Sequence, residues 1–297
     1  MAITASLTGN LGNHMWIYAI TRTVAEYNKY DWGFNPSPEF DYRNGIPQMD
    51  FMDIDYGITH NYKYNDTPPW IENEWRENYL HSQYFNGDSV DYHPFQPDIF
   101  EIKDNTKLYI RCCQDARYLN KTDVLKWFKI KKDVEKTYKE NFQNIMIQAG
   151  AEYPDDLCVL NVRGGEYKGV QNLLLGRDYW WRAINFMLTN RNKKIKFVII
   201  SDDPQYAESL VPTGMKIPVF HTSIGGDYYV INNARNLILS NSSFAIFPTW
   251  LNEHNPYVIA PRYWARHNIS TGYWANSDIW TFGWLFLDRE DGKLHDR

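Results

Sequence analysis

The chain has 297 residues, with 31 Lys and Arg against 36 Asp and Glu, a net charge of −5 and 16% aromatic residues. That length can bury two cores, so two domains are expected. The acidic balance, without any long Lys/Arg tract, speaks against nucleic acid or an anionic membrane as the main partner, and no apolar stretch approaches a membrane span.

The opening Met1 to Leu7 has no basic region ahead of its apolar run, so no secretory signal is expected. Cys112, Cys113 and Cys158 fit neither a disulfide framework nor a zinc spacing, which implies a reducing, cytoplasmic setting. Twelve Trp and twenty-two Tyr are well above ordinary usage. Aromatic rings stack on sugar faces, and they also fill cores.

Taken along the chain, Ala2 to Leu7 predicts a strand and Met15 to Tyr27 a helix, joined by the turn Thr8-Gly9-Asn10-Leu11-Gly12-Asn13-His14. Glycines there let the backbone approach a ligand, and a helix N-terminus offers unpaired N–H groups to an anion. The turn lacks the full dinucleotide fingerprint, which argues against a Rossmann-type dehydrogenase. From Tyr30 to Pro97 the Asn-, Asp-, Tyr- and Pro-rich sequence predicts irregular loops with short helices. Leu108 to Arg111 reads as a strand, and Asp123 to Phe128 and Asp133 to Ala149 as helices. Glu152 to Asp156 reads as a linker, which sets domains at 1–153 and 154–297.

The second half alternates regularly. Strands are expected at Leu157 to Val162, Lys196 to Ile200 and Val219 to His221, with helices at Asp178 to Leu188 and from Pro204 to Leu210. Tyr228 to Ala234, Leu237 to Leu239, Phe244 to Leu251 and Tyr257 to Ala260 continue the alternation. Short apolar strands separated by helices predict parallel sheets covered on both faces. Ligands in such sheets sit beyond the C-terminal ends of the strands.

Four segments carry chemistry. The first is Gly9-Asn10-Leu11-Gly12-Asn13-His14-Met15-Trp16-Ile17-Tyr18-Ala19, and the second Asn161-Val162-Arg163-Gly164-Gly165-Glu166-Tyr167. The third is Phe197-Val198-Ile199-Ile200-Ser201-Asp202-Asp203. The fourth runs from Asn236 through Ser240-Asn241-Ser242-Ser243-Phe244 and Trp250-Leu251-Asn252 to Val258-Ile259-Ala260-Pro261-Arg262-Tyr263-Trp264. In this order they resemble the α-1,2-fucosyltransferase family of glycosyltransferases, family 11, with its G-x-L-G-N-Q-M-F-Q-Y-A, H-x-R-R-G-D-Y, F-x-x-F-S-D-D and N-x-I-x-A-N-S-S-F motifs. Weaker echoes lie at Tyr109 to Tyr118 and at Asp178-Tyr179.

The resemblance implies a GT-B fold, an α/β architecture of two Rossmann-like domains facing across a cleft. The acceptor side comes first and the donor side second. It implies inverting transfer of fucose from GDP-fucose to a hydroxyl of an oligosaccharide acceptor, in α-1,2 linkage, with the GDP-sugar as co-substrate and neither cofactor nor metal. Arg163 would hold the diphosphate as charge develops on it, through a planar and permanently charged fork. Its alternative is an ion pair with Glu166 or an acidic loop.

Asn241, Ser242, Ser243 and Phe244 would offer hydroxyls and N–H groups to phosphate oxygens, or Ser242 and Ser243 simply cap a helix. Ser201, Asp202 and Asp203 would lie beside the base or ribose. The bland alternative is capping ahead of Pro204. Gly9, Gly12 and Asn13 would reach the sugar and phosphate, with Asn13 and Arg163 as the catalytic pair. His14 stands where the family has Gln and reads as a general base, a cap or a surface residue. Asp41, Asp53, Asp55 and Glu74 are further candidates for the base.

This chain departs from the family at Asn161, Gly164 and Glu166, where the family has His, a second Arg and Asp. Lys168 or Arg177 could supply the missing charge. Two other readings therefore stay open: another GDP-sugar on the same scaffold, or a catalytically weak glycan- or nucleotide-binding protein. The stretch from Tyr273, with Trp274, Trp280 and Trp284, reads as a packing helix or an aromatic contact surface.

Overall fold

The computed structural model describes residues 1–34, 48–58, 67–78, 80–85, 88–92, 95–110, 113–169, 173–191, 193–262, 283–289 and 291–295, with backbone alone for 80–92. The chain forms two compact units, Met1–Lys131 and Lys132–Arg297. The division falls earlier than the Glu152 to Asp156 linker. The helix before that linker belongs to the second unit, and Pro154–Asp156 is a 3₁₀ turn leading into a strand.

In the first unit, strand β1 (Ala2–Ala5) feeds helix α1 (Leu11–Asn28). Strands β2 (Asp31–Phe34) and β3 (Asn73–Arg76) follow, then a separate hairpin of β4 (Leu80–Phe85) and β5 (Asp88–Tyr92). Strand β6 (Thr106–Tyr109) and helix α2 (Lys121–Trp127) complete the unit. Four strands make a parallel sheet in the order β2-β1-β6-β3. The expectation of irregular loops from Tyr30 to Pro97 is therefore corrected. At four residues each, Asp31–Phe34 and Asn73–Arg76 are too short to show a period, and pairing with β1 and β6 makes them strands.

Helix α1 starts at Leu11, four residues before the apolar pattern suggests. The amide of Leu11 donates to Gln48 Oε1 at 3.0 Å, so a distant side chain satisfies an end-of-helix N–H that the local sequence leaves open.

The second unit contains α3 (Lys132–Ala149), β7 (Leu157–Val162), α4 (Arg177–Asn190), β8 (Lys196–Ser201), α5 (Pro204–Ser209), β9 (Val219–Phe220) and α6 (Ile224–Asn233). It continues with β10 (Asn236–Leu239), α7 (Ile246–Trp250), β11 (Tyr257–Pro261), β12 (Leu285–Leu287) and β13 (Leu294–His295). The sheet order is β13-β12-β11-β10-β7-β8-β9, parallel except for the β12–β13 pair.

Read from β9 to β12, that is third, second, first, fourth, fifth and sixth strand, the doubly wound Rossmann order. The two α/β units with parallel sheets match the expected fold class. All six residues of β7 are buried, as a strand covered on both faces requires. Cys158, Leu160 and Val162 join Tyr179, Trp180, Ile184 and Met187 of α4 in one core cluster.

Trp284 is buried and precedes β12, so the described part of the C-terminal stretch is a strand pair rather than a packing helix. Tyr273, Trp274, Trp280 and Asp41 lie outside the described residues. Among those residues, no helix is long and apolar enough to cross a membrane.

Candidate functional site

In the strand order of the second unit, the winding of the chain reverses between the parallel strands β7 and β10. In doubly wound sheets the loops either side of such a switch point diverge, and ligands bind in the crevice they leave at the C-terminal ends of the strands. Arg163, Gly164 and Gly165 follow β7, and Ser240 to Ser243 follow β10. Ser201, Asp202 and Asp203 leave β8, next to β7. The topology thus gathers three of the four sequence segments at one sheet edge.

Arg163 donates from Nη1 to Asp202 Oδ2 at 2.5 Å and from Nη2 to Glu166 Oε1 at 3.3 Å. Its guanidinium also lies 5.4 Å from the ring centre of Tyr167. The ion-pair alternative is what the structure shows: carboxylates hold the arginine just after β7. Those two bonds leave other guanidinium donors unused.

Asp202 joins the loops, since its Oδ1 accepts from the amide of Gly164 at 2.9 Å. Asp203 caps α5, accepting from the Tyr206 amide at 3.0 Å, and pairs with Lys168. The Lys168 ammonium holds the Asp203 carboxyl below its usual range, aided by the Tyr206 amide against the effect of burial. Ser201 Oγ accepts from the Asp203 amide at 3.0 Å. Ser201 and Asp203 thus serve the turn into α5.

The departures from the family pattern have local reasons. Asn161 is buried, and its Oδ1 accepts from Ser240 Oγ at 3.1 Å, a neutral bridge between β7 and β10. At Gly164 a Cβ would meet Asp203 Cβ at 2.5 Å and Tyr206 Cδ1 at 3.0 Å, so this backbone has no room for a second arginine. Gly165 has φ 38°, and a Cβ there would strike Asp202 Oδ2. Lys168 stays beside the site through Asp203. Arg177 is engaged elsewhere, donating to the Ser209 carbonyl at 2.5 Å and lying over Trp181.

After β10, Asn241 is buried and donates to the Leu173 carbonyl at 2.9 Å, which makes it a support for the loop. Ser242 caps a 3₁₀ turn, Ser243–Ala245, that runs into the short α7, with its Oγ accepting from the Phe244 amide at 3.4 Å. Ser243 and Phe244 are partly exposed. Tyr167 bonds to Ser242, linking the loop after β7 to the loop after β10. Burial pushes the Tyr167 phenol up, against the influence of Arg163 and Ser242. Sequence reasoning quoted Tyr167 without giving it a role, because an aromatic beside glycines has no distinguishing signal.

In the first unit, Gly9 has φ 82°, and a Cβ there would strike Asn13 Nδ2. Asn13 Oδ1 accepts from Gln114 Nε2 at 3.0 Å. Gln114 lies beyond β6, the neighbour of β1, and sequence reasoning missed it except as part of the Tyr109 to Tyr118 echo. Gly12 and His14 are buried. With 0% exposure His14 is a core residue, not a surface cap, because α1 is covered almost all round.

The other proposed bases are not gathered at this turn. Asp53 and Asp55 line a cavity of about 380 Å³ with Arg22, Glu26, Asp123, Lys126 and Trp127. Arg22 is ~16 Å along α1 from Leu11 at the rise of a regular helix. Glu74 pairs with Arg76 at 2.7 Å.

For a metal, Asp288, Asp291 and His295 place ligand atoms within 4.8 Å of one another. Arg262 Nη1 lies 2.8 Å from Asp288 Oδ2 and 3.2 Å from His295 Nε2, so a guanidinium already occupies that group.

The family model described as glycosyl transferase family 11 matches residues 92–288, from the last residue of β5 through β12 of the second sheet. The chain belongs to glycosyl transferase family 11. It is therefore a glycosyltransferase, and Arg163, Asp202 and the Ser242 turn lie inside the matched region.

Among solved structures, this family member is similar to fucosyltransferase NodZ from Bradyrhizobium at 10% identity, covering 99% of this chain and 98% of that one, with a TM-score of 0.48. It is also similar to NodZ α-1,6-fucosyltransferase co-crystallised with GDP at 12% identity, over 84% and 92% of the two chains, with a TM-score of 0.46. A third likeness is to POFUT1 in complex with GDP at 10% identity, over 87% and 96%, with a TM-score of 0.49. Likenesses this distant add nothing to the family assignment. No curated protein matches the family member in sequence.

Proposed function

We propose that this glycosyltransferase moves fucose from GDP-fucose to a hydroxyl of an oligosaccharide acceptor, with inversion and in α-1,2 linkage. The single observation that carries the reading is Arg163 just after β7, at the switch point of a family 11 chain, held by Asp202, which also binds the Gly164 amide. GDP names the nucleotide because the four ordered motifs resemble those of the GDP-fucose enzymes.

In this reading the second unit binds the donor and the first the acceptor. Arg163 faces the diphosphate and stabilises the charge that grows on it as the glycosidic bond breaks. N–H groups and hydroxyls of the Ser242–Ser243 turn add donors to the phosphate oxygens. Glu166 and Asp202 orient the guanidinium and yield part of it to the stronger anion. Asn13, held by Gln114 across the first turn, positions the transferring sugar or the attacking hydroxyl.

Gly164 favours a second reading, the same scaffold with a different GDP-sugar, since one arginine of the family pair has no place here. The deciding experiment is turnover with a panel of GDP-sugars and fucosylatable glycans, following GDP release. Release with GDP-fucose alone supports the first reading, and release with another GDP-sugar alone supports the second. Binding of GDP without any release would overturn both in favour of a non-catalytic binding protein.

A further inference from the structure

Gln114 holds Asn13 with its amide nitrogen and leaves its amide oxygen unused. Strands β1 and β6 run parallel and side by side, with Ala5 paired to Leu108. The Gly9 turn follows the C-terminal end of β1, and the loop that carries residues 113–118 follows the same end of β6. In a parallel α/β sheet this is the edge at which ligands bind. The bond from Gln114 Nε2 to Asn13 Oδ1, at 3.0 Å, joins residues 101 positions apart across these neighbouring loops.

The loop presents Gln114 from a fixed frame. Cys113 and Asp115, on either side of it, are buried. The Arg117 amide donates to Asp115 Oδ1 at 2.9 Å and Arg117 Nη2 to Oδ2 at 2.6 Å. The Asp115 amide donates to the Cys113 carbonyl at 3.0 Å, and the Tyr118 amide to the Asp115 carbonyl at 3.2 Å. Tyr118 is buried, and its hydroxyl accepts from the Gln96 amide at 2.7 Å. Gln114 itself is only partly buried. Its Nε2 is committed to Asn13, and its Oε1 has no partner among the described residues.

The open atom decides the class of ligand. A carbonyl oxygen accepts and cannot donate, so the oxygens of an ionised diphosphate, which carry no proton, make no bond to it. A sugar hydroxyl does. A neutral amide takes up no proton either, so such a contact orients a hydroxyl without activating it.

We propose that Gln114 binds the acceptor: its Oε1 accepts a hydrogen bond from a hydroxyl of the acceptor sugar, and the bond to Asn13 fixes the amide for that contact. The proposal rests on the fucosyl-transfer reading above, in which the first unit takes the acceptor. Gln114 then acts on acceptor binding and leaves donor binding alone.

The test is steady-state GDP release by the full chain, with GDP-fucose as donor and lactose, N-acetyllactosamine or chitotriose as acceptor, for wild type and Gln114→Met. The variant keeps the length of the side chain and removes the amide. It is expected to raise the acceptor KM about 10-fold while leaving the GDP-fucose KM within about twofold. Calorimetric affinity for GDP should also stay within about twofold. Monodeoxy forms of the accepted glycan add a readout that a purely structural role would not move. The one lacking the contacted hydroxyl should be a poor acceptor for wild type and lose nothing further in Gln114→Met. Should Gln114→Met fail to fold, Gln114→Asn, which draws the amide back by one methylene, takes its place with the same expectation.

An acceptor KM equal to wild type, or a loss of kcat alone, would overturn the contact and leave the fucosyl-transfer reading standing. Equal sensitivity of every monodeoxy form to the variant would do the same. Wild type that releases no GDP with any of these acceptors would remove that reading and this inference with it.

Discussion

Replacing Arg163 by Ala tests the donor site most directly, and the structure sets the size of the effect. Two ion pairs are lost, to Asp202 at 2.5 Å and to Glu166 at 3.3 Å. The Arg163 side chain is 21% exposed and its partners are 26% and 39% exposed. Pairs this open contribute ~0–1 kcal/mol each, so the variant should stay folded, with a melting temperature lower by only a few degrees.

Binding should respond differently. A hydrogen bond from a charged donor to phosphate contributes ~1.5–3 kcal/mol, which makes one contact ~10-fold and two ~100-fold in GDP Kd. The deletion also leaves the Asp202 and Glu166 carboxylates facing the diphosphate without their counter-charge, which pushes the loss toward the larger figure. Calorimetric titration with GDP, UDP and ADP, alongside a melting curve, measures both quantities. Arg163→Lys keeps the charge but not the fork and should fall between. A folded Arg163→Ala that binds GDP within about twofold of wild type would refute the reasoning.

Gly164→Ala should destabilise the second unit by ~1–3 kcal/mol in urea unfolding, because its Cβ would sit 2.5 Å from Asp203 Cβ. Gly164→Arg, which restores the family residue, should do no better. Asp203→Ala should cost ~1 kcal/mol through loss of the α5 cap. Because the folded Asp203 carboxyl lies below its unfolded value, its stabilising effect is full above the ordinary carboxyl pKa of ~4. The effect is lost as pH falls through the lower folded value. Acid unfolding curves of wild type and Asp203→Asn should therefore diverge above that range and converge below it. Leu160→Ala, in the doubly covered strand β7, should cost ~2–5 kcal/mol by denaturant titration, and a cost under 1 kcal/mol would contradict the described core.

Much of the second unit is legible in the residues alone. Apolar runs such as Leu157–Val162 and Phe197–Ile200 are buried on both faces, so their composition marks them as strands without any partner. Motif order also carried the family, because Arg163, Asp202 and Ser242 each follow such a strand. The first unit was less legible. Asp31–Phe34 and Asn73–Arg76 have no pattern of their own, and their strand character comes from hydrogen bonds to β1 and β6. Helix α1 likewise starts where Gln48, thirty-seven residues away, accepts its first amide.

The same division holds within the site. Residue type and place after a strand suffice to nominate Arg163, Glu166, Asp202 and Asp203, because ligands of such sheets bind beyond the C-terminal strand ends. Their pairing is a different matter. That Asp202 holds Arg163 and the Gly164 amide, that Asp203 blocks a side chain at Gly164, and that Gln114 holds Asn13 depends on which strands lie side by side. His221 makes the point most sharply. In the sequence it is one histidine among eight without ligand spacing, and only the β8–β9 pairing and the turn into α6 bring its Nδ1, just after β9 (Val219–Phe220), to 2.7 Å from Asp227 Oδ2. Local composition decides what forms a strand or a helix through short-range burial and backbone preference. Which side chains meet is decided by contacts between residues far apart in the chain, and those exist only once the sheet order is set.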